Sequence, residues 1–217
     1  MVTKRKTHKE RDSGQTERAL LDAVGDLLGT SGFSSLKTNN IARRAGKDKN
    51  LIRYHFGSLE DLLAAYIREK DYWPPFFERF RLNEKPESQE LRQLFTGLMQ
   101  ENFRFFAANG KMQQIIRWQI SEGNALLRGI SDAREREGAK LLAMTDPLFQ
   151  DSGINFRALL ALLLGGSYYT VLHAVTNKST VSGIDANLQT DREAILQTIS
   201  QVIGWAWQAA GEKDRTK

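Results

Sequence analysis

From about Thr16 to the end of this 217-residue chain, apolar side chains recur at spacings of three and four, and no segment sustains the alternation of a β-strand. That property removes sheets and barrels and leaves an all-α fold. Leu20, Leu21, Val24, Leu27 and Leu28 mark a first helix, which Gly29 to Gly32 ends. Thr38 is placed to cap a short second helix through Ala45, with Ile41, Ala42 and Ala45 on one side. Gly46 breaks it. Asp48 suits the N-cap of a third helix through Phe56, in which Ile52 and Phe56 at i, i+4 point inward. Ser58 opens a fourth, helped by Glu60 and Asp61 in its first turn, and Pro74 and Pro75 end it just past Trp73. Further helices are predicted over 88–108, 111–122, 126–144, 154–176 and 191–210, eight or nine in all, with no internal repeat.

Composition narrows what such a chain does. With 41% hydrophobic and 26% charged residues it is globular. The absence of cysteine removes disulfides, thiolate metal sites and cysteine nucleophiles, and it suits a cytoplasmic location. The polar, basic N-terminus has no apolar run behind it and does not read as a secretory signal. The stretch from Ala158 to Val175 carries no charge and approaches the ~20 residues of a membrane span. Its two glycines, two tyrosines and His173 fit a helix buried inside a protein or a dimer, so no membrane partner is expected. His8, His55 and His173 are scattered, and neither a phosphate-cradling glycine loop nor a serine elbow is present. Neither an enzyme nor a metal or cofactor site is expected.

Charge is distributed unevenly. Residues 1–57 hold 12 Lys and Arg against 6 Asp and Glu, whereas 58–217 hold 19 against 20. Residues 1–14 read as a disordered basic arm, but 15–57 remain basic without it, with 7 cations against 4 anions. A basic patch confined to one module is the footprint of a phosphate-binding surface. It coincides with TNNIARRAGKDKNLIRYHFGS, residues 38–58, a helical hairpin with a glycine in its turn. Ala42 is small enough for a helix to cross close above it, and Gly46 permits positive φ. Ile41, Ala45, Ile52 and Phe56 lock the hairpin onto the first helix. Lys47, Lys49, Asn50, Arg53 and Tyr54 are then left outward, residue types that reach bases and phosphates. Thr38 and Asn39 open the second helix, whose N–H groups favour a phosphate oxygen. His55 either donates to a phosphate or packs beneath its helix. A plain solvated hairpin is the competing interpretation of the same pattern.

The segments SGFSSLKTNNIARRAG, LIRYHF and GSLEDLLAAYI, in that order, resemble the TetR family of bacterial transcriptional regulators over about Thr16 to Ile67. The resemblance implies a homodimer that binds a near-palindromic DNA operator and usually represses transcription. It places the DNA contacts on Thr38, Asn39, Lys49, Asn50, Arg53, Tyr54 and His55. This chain departs from the family pattern at Lys47, where Val or Ile is usual, at Leu51, usually Thr or Ser, at Arg53, often Tyr, and at Leu59, usually Lys. Those exchanges redistribute the phosphate contacts.

The resulting architecture is an N-terminal three-helix domain with a helix-turn-helix over 15–57 and a helical dimerisation and effector domain over 58–217. The last long helix is apolar on two faces, which calls for two partners, its own core and a second subunit. Gly165, Tyr168 and Leu172, with Ile195, Ile199, Val202 and Ala206, are the expected dimer interface. Trp73, Phe77, Phe103, Phe106, Trp118, Tyr169 and His173 are candidates to line a pocket for a small-molecule effector of unknown identity. The rival function is a helical interaction module whose basic N-terminus makes non-specific contact with nucleic acid or anionic membrane.

Overall fold

The computed structural model describes residues 8–71, 73–79 and 86–212. Among them are eleven α-helices and a single 3-10 turn at Phe33–Ser35. No β-strand occurs among the described residues, where the nearest approach is an isolated bridge between Val181 and Ile184. The chain is all-α, and it divides into two compact units.

The first unit comprises 1–71 together with 114–128. Its helices are α1 (His8–Ser31), α2 (Thr38–Ala45), α3 (Asn50–Phe56) and α4 (Leu59–Lys70), joined by part of α7 (Gly110–Ser121) and the start of α8 (Ala125–Ala143). Leu20, Val24 and Leu28 of α1 are buried with Ile41, Ala42, Ile52, Leu62, Tyr66 and Ile67. Because α4 gives Leu62, Leu63, Tyr66 and Ile67 to this core, the boundary expected after residue 57 falls at Asp71 instead. Later in the chain, Ile115, Ile116, Trp118 and Leu127 are buried in the same unit, and Trp118 stacks on Phe33 with ring centroids 6.3 Å apart. Arg18 joins α1 to α4 by donating to both carboxylate oxygens of Glu69, at 3.0 and 3.1 Å. Hydrogen bonds to Asp22 and Glu69 raise the pKa of the Arg18 guanidinium, and those from Lys70 and Arg18 hold Glu69 below the usual carboxylate range.

Two boundaries differ from the sequence expectation for local reasons. Helix α1 starts at His8, so residues 8–14 of the expected arm are helical, while 1–7 lie outside the described residues. Ser13 continues the helical register by donating to Glu17 one turn on. Pro74 and Pro75 do not end α4; they lie in the first turn of α5 (Trp73–Arg79). Proline has no N–H to lose there, and its fixed φ suits the opening of a helix.

The second unit comprises 72–113 and 129–217. It contains α5, α6 (Ser88–Ala108), most of α8, α9 (Asp146–Phe149), α10 (Phe156–Asn177) and α11 (Gln189–Glu212). A capping box between Glu87 and Glu90 opens α6, and Asn155 caps α10 by accepting from Ala158 N–H at 2.9 Å. Phe149, Phe156 and Trp207 pack mutually with centroids 4.6–4.9 Å apart, and Phe95 joins Phe156 at 5.3 Å. Around them Leu91, Leu94, Phe103, Phe106, Ile199 and Ile203 are buried.

Candidate nucleic-acid interface

The hairpin of α2 and α3 is built around two glycines. Gly46 has φ +63°, with nothing near enough to obstruct a side chain. Over it, Lys47 N–H donates to Ala42 C=O at 3.0 Å and Gly46 N–H to Arg43 C=O at 3.2 Å. This pair of bonds closes a helix whose last residue hands over to a left-handed one. Asp48 Oδ1 then accepts from Asn50 N–H at 2.7 Å, which opens α3. At its far end Gly57 takes φ +89° and donates to Arg53 C=O at 3.0 Å. Ser58 follows, its hydroxyl accepting from Asp61 N–H at 3.0 Å to cap α4. Helix α3 is therefore a seven-residue rod clamped at both ends. Ser58 caps as expected, whereas the cap position of α3 falls on Lys49 and Asp48 bonds Asn50 N–H from one residue further back. Thr38 is instead the first residue of α2, whose cap position is taken by Lys37 without a side-chain bond.

Burial separates the faces of the rod. Ile52 is 3% exposed and Ile41 wholly buried beneath it, while Ala45 and Phe56 are half-buried. Outside, Lys47, Lys49, Asn50 and Arg53 are exposed, and Tyr54 is 73% exposed. Asn50, Arg53 and Tyr54, three and four apart, share one helix face. Asn39 is exposed and Thr38 half-buried at the start of α2. His55 turns inward. Its side chain is 6% exposed, and its Nδ1 lies 3.2 Å from Glu17 Oε1 on α1. Of the two roles left open for it, packing beneath the helix is the arrangement observed. Lys37, exposed at the cap of α2, and Arg43, whose guanidinium donates to Asn40 Oδ1 at 2.9 Å, are further cations of this region. Residue-type reasoning passed over both, although Lys37 adjoins the Thr38–Asn39 pair it did select.

Residues 20–66 match the family of bacterial regulatory proteins, tetR family. The match places the N-terminal domain, and not the whole chain, in that family. Structures of similar fold include native NalD of Pseudomonas aeruginosa, the secondary repressor of the MexAB-OprM multidrug efflux pump. It is 20% identical, with a TM-score of 0.62, covering 88% of this chain and 98% of that one. The fatty acid degradation regulator FadR of Bacillus halodurans is 19% identical with a TM-score of 0.60, over 92% of this chain and 96% of its own. FadR of Bacillus subtilis, solved with stearoyl-CoA, is 17% identical with a TM-score of 0.58, over 84% and 97%. No curated protein matches the chain in sequence.

The residues expected to line a pocket are distributed over both units of the chain. Trp118 belongs to the first unit. In the second, Phe103 and Phe106 are buried on α6, where the Phe106 ring lies 4.3 Å from that of Tyr168 and Asn102 donates to the Tyr168 hydroxyl at 3.2 Å. Trp73 meets Phe76 edge-on within α5, and the Phe77 side chain lies outside the described residues. Tyr169 is exposed on α10 and pairs with His173, whose Nδ1 is 3.1 Å from Asn177 Nδ2. Open grooves among the described residues of the second unit include one of about 490 Å³ beside Trp205 and one of about 530 Å³ beside Phe149. None of the expected pocket residues lines either one. Among the described residues no three His, Asp or Glu side chains group as a metal site.

The expected dimer residues divide in a similar way. Ile199 and Ala206 are 2% and 5% exposed, because with Ile203 they form the stripe by which α11 packs on α6. They belong to the core of this chain and are corrected out of the outward face. Ile195, Val202, Tyr168 and Leu172 are half-buried, and Gly165 is exposed with open space around it. Helix α10 is long and apolar enough to cross a membrane by length and composition. It is not buried on all sides within one chain: Leu162 is 77% exposed, and Gly165, Gly166 and Tyr169 follow it on the same side.

Proposed function

We propose that the chain is a cytoplasmic, non-enzymatic transcriptional repressor, which binds a near-palindromic operator as a homodimer and is released from it by a small-molecule effector. The observation that carries this reading is the separation of faces on α3. Ile52 anchors one side, and the opposite side presents Lys49, Asn50, Arg53 and Tyr54 to solvent. A short helix held by its buried face, with cations and an amide outward, fits the major groove and its phosphate margins. The exposed apolar side of α10 from Leu162 to Tyr169 supports a second copy as its cover, and the tetR-family domain favours the same arrangement. Regulators of fatty acid degradation and of drug efflux share the fold, which favours an apolar effector.

Selection of randomised duplex DNA with the purified protein at near-physiological salt tests this reading. The expected result is enrichment of one inverted repeat, bound with an affinity that falls steeply as salt rises. Retention of duplex regardless of sequence would sink the repressor reading and favour non-specific contact through the basic N-terminus.

A further inference from the structure

The imidazole of His55 is held by α1. Its Nδ1 lies 3.2 Å from Glu17 Oε1 and 3.4 Å from Ser13 Oγ. A carboxylate oxygen can only accept, so Nδ1 carries the hydrogen and donates to Glu17. Ser13 Oγ donates to that same oxygen at 3.3 Å, so one acceptor on α1 gathers both donors. On its other side the imidazole stands at 89° to the ring of Tyr54, with centroids 4.9 Å apart. Tyr54 is the exposed aromatic of α3, and the His55 ring packs edge-on against it. Glu17 is an unexpected group beside a cationic surface. Its charge by itself repels a polyanion, so any help it gives to DNA binding must pass through what it holds.

We propose that His55 is a positioning residue and not a phosphate contact. Glu17 and Ser13 orient its imidazole, and the imidazole fixes the Tyr54 ring on the DNA-facing side of α3. The assignment rests on the reading of α3 as the recognition helix. It explains why a histidine in a cationic helix is turned away from solvent, and it extends the binding machinery to an acidic residue of α1. A ring held in its bound orientation before the encounter has less freedom to lose on binding.

The test measures affinity at several salt concentrations for a duplex enriched by the wild-type protein from randomised DNA. Wild type is compared with Glu17→Ala, Glu17→Gln, Ser13→Ala, His55→Ala and the Glu17→Ala/His55→Ala double variant. Each is first shown by circular dichroism to keep wild-type helicity. Losing a hydrogen bond to a charged partner predicts about tenfold weaker binding for Glu17→Ala, although that change removes a negative charge. Glu17→Gln keeps an accepting oxygen and binds close to wild type, and Ser13→Ala weakens binding by a smaller factor. The double variant is no weaker than His55→Ala, and none of these changes alters the salt slope. Glu17→Ala binding as tightly as wild type, or more tightly, would overturn the assignment. So would a salt slope reduced by about one unit in His55→Ala, the mark of a lost phosphate contact. A wild-type protein that enriches no duplex overturns the reading of α3 and this assignment together. Wild-type binding with an indifferent Glu17→Ala overturns this assignment alone.

Discussion

Gly25 and Tyr66 interlock: a Cβ at position 25 would lie 3.0 Å from the Tyr66 hydroxyl oxygen and 3.1 Å from a ring carbon. Tyr66 is 1% exposed and closed in by the core around it. Alanine in place of a mid-helix glycine ordinarily gains up to about 1 kcal/mol, whereas overpacking a rigid core costs about 1–3 kcal/mol. Gly25→Ala is therefore expected to lower stability by about 1 kcal/mol in denaturant titration, overpacking being the larger of the two effects. Adding Tyr66→Phe removes the closest atom but leaves the ring carbon at 3.1 Å, and is expected to recover only part of that loss.

The same hydroxyl is buried with no hydrogen-bond partner, and burial pushes its pKa from 10.0 up to about 12. A raised folded-state pKa means that the unfolded chain loses its proton first. Stability is thus unaffected below pH 10 and declines as pH rises from there towards 12. Thermal melts across that range should show the decline in the wild type and a shallower one in Tyr66→Phe.

Gly46 carries positive φ in open space, so a substitution there meets backbone strain and no clash. Gly46→Val is expected to cost about 1–2 kcal/mol and Gly46→Asn clearly less, since asparagine tolerates the left-handed region. Equal melting temperatures for the two variants would contradict this account of the turn.

Lys49→Ala and Tyr54→Ala alter exposed side chains and should leave helicity and melting temperature unchanged. Each is expected to weaken binding to the selected duplex, by about 1–3 kcal/mol where a base contact is lost. Lys49→Ala should also flatten the salt dependence if its contact is a phosphate. Wild-type affinity in both variants would remove α3 from the interface.

A charge placed on the outward side of α10 separates the two explanations of its apolar surface. Leu162→Glu should leave the fold intact, because the side chain is exposed in one copy, and should shift sedimentation from dimer to monomer. An unchanged dimer would place the contact elsewhere.

Periodicity and turn chemistry made the N-terminal helices legible, since the signals there are local. Asp48, Gly46 and Ser58 act through bonds to residues at most five positions away. His55 was ambiguous because its partners are 38 and 42 positions away on α1, a separation that no window of residues reports. The aromatic residues proposed for a pocket are divided between the two units for a related reason. Phe106 and Trp118 carry similar hydrophobic bulk, yet the chain commits them to different units. Likewise Ile199 and Val202 read as one stripe, and only the packing of α11 on α6 reveals that the first is interior and the second half-exposed.

The ring of Trp118 set against Phe33 bears on how this head could be moved between proteins. A fragment that stops at Asp71 would leave behind Ile115, Ile116, Trp118 and Leu127, four apolar side chains of its own interior. Grafting the first unit onto a foreign body therefore means carrying a second, distant stretch of chain along with it. A splice made at the end of the family match would transfer the hairpin of α2 and α3 with a wall of its foundation missing.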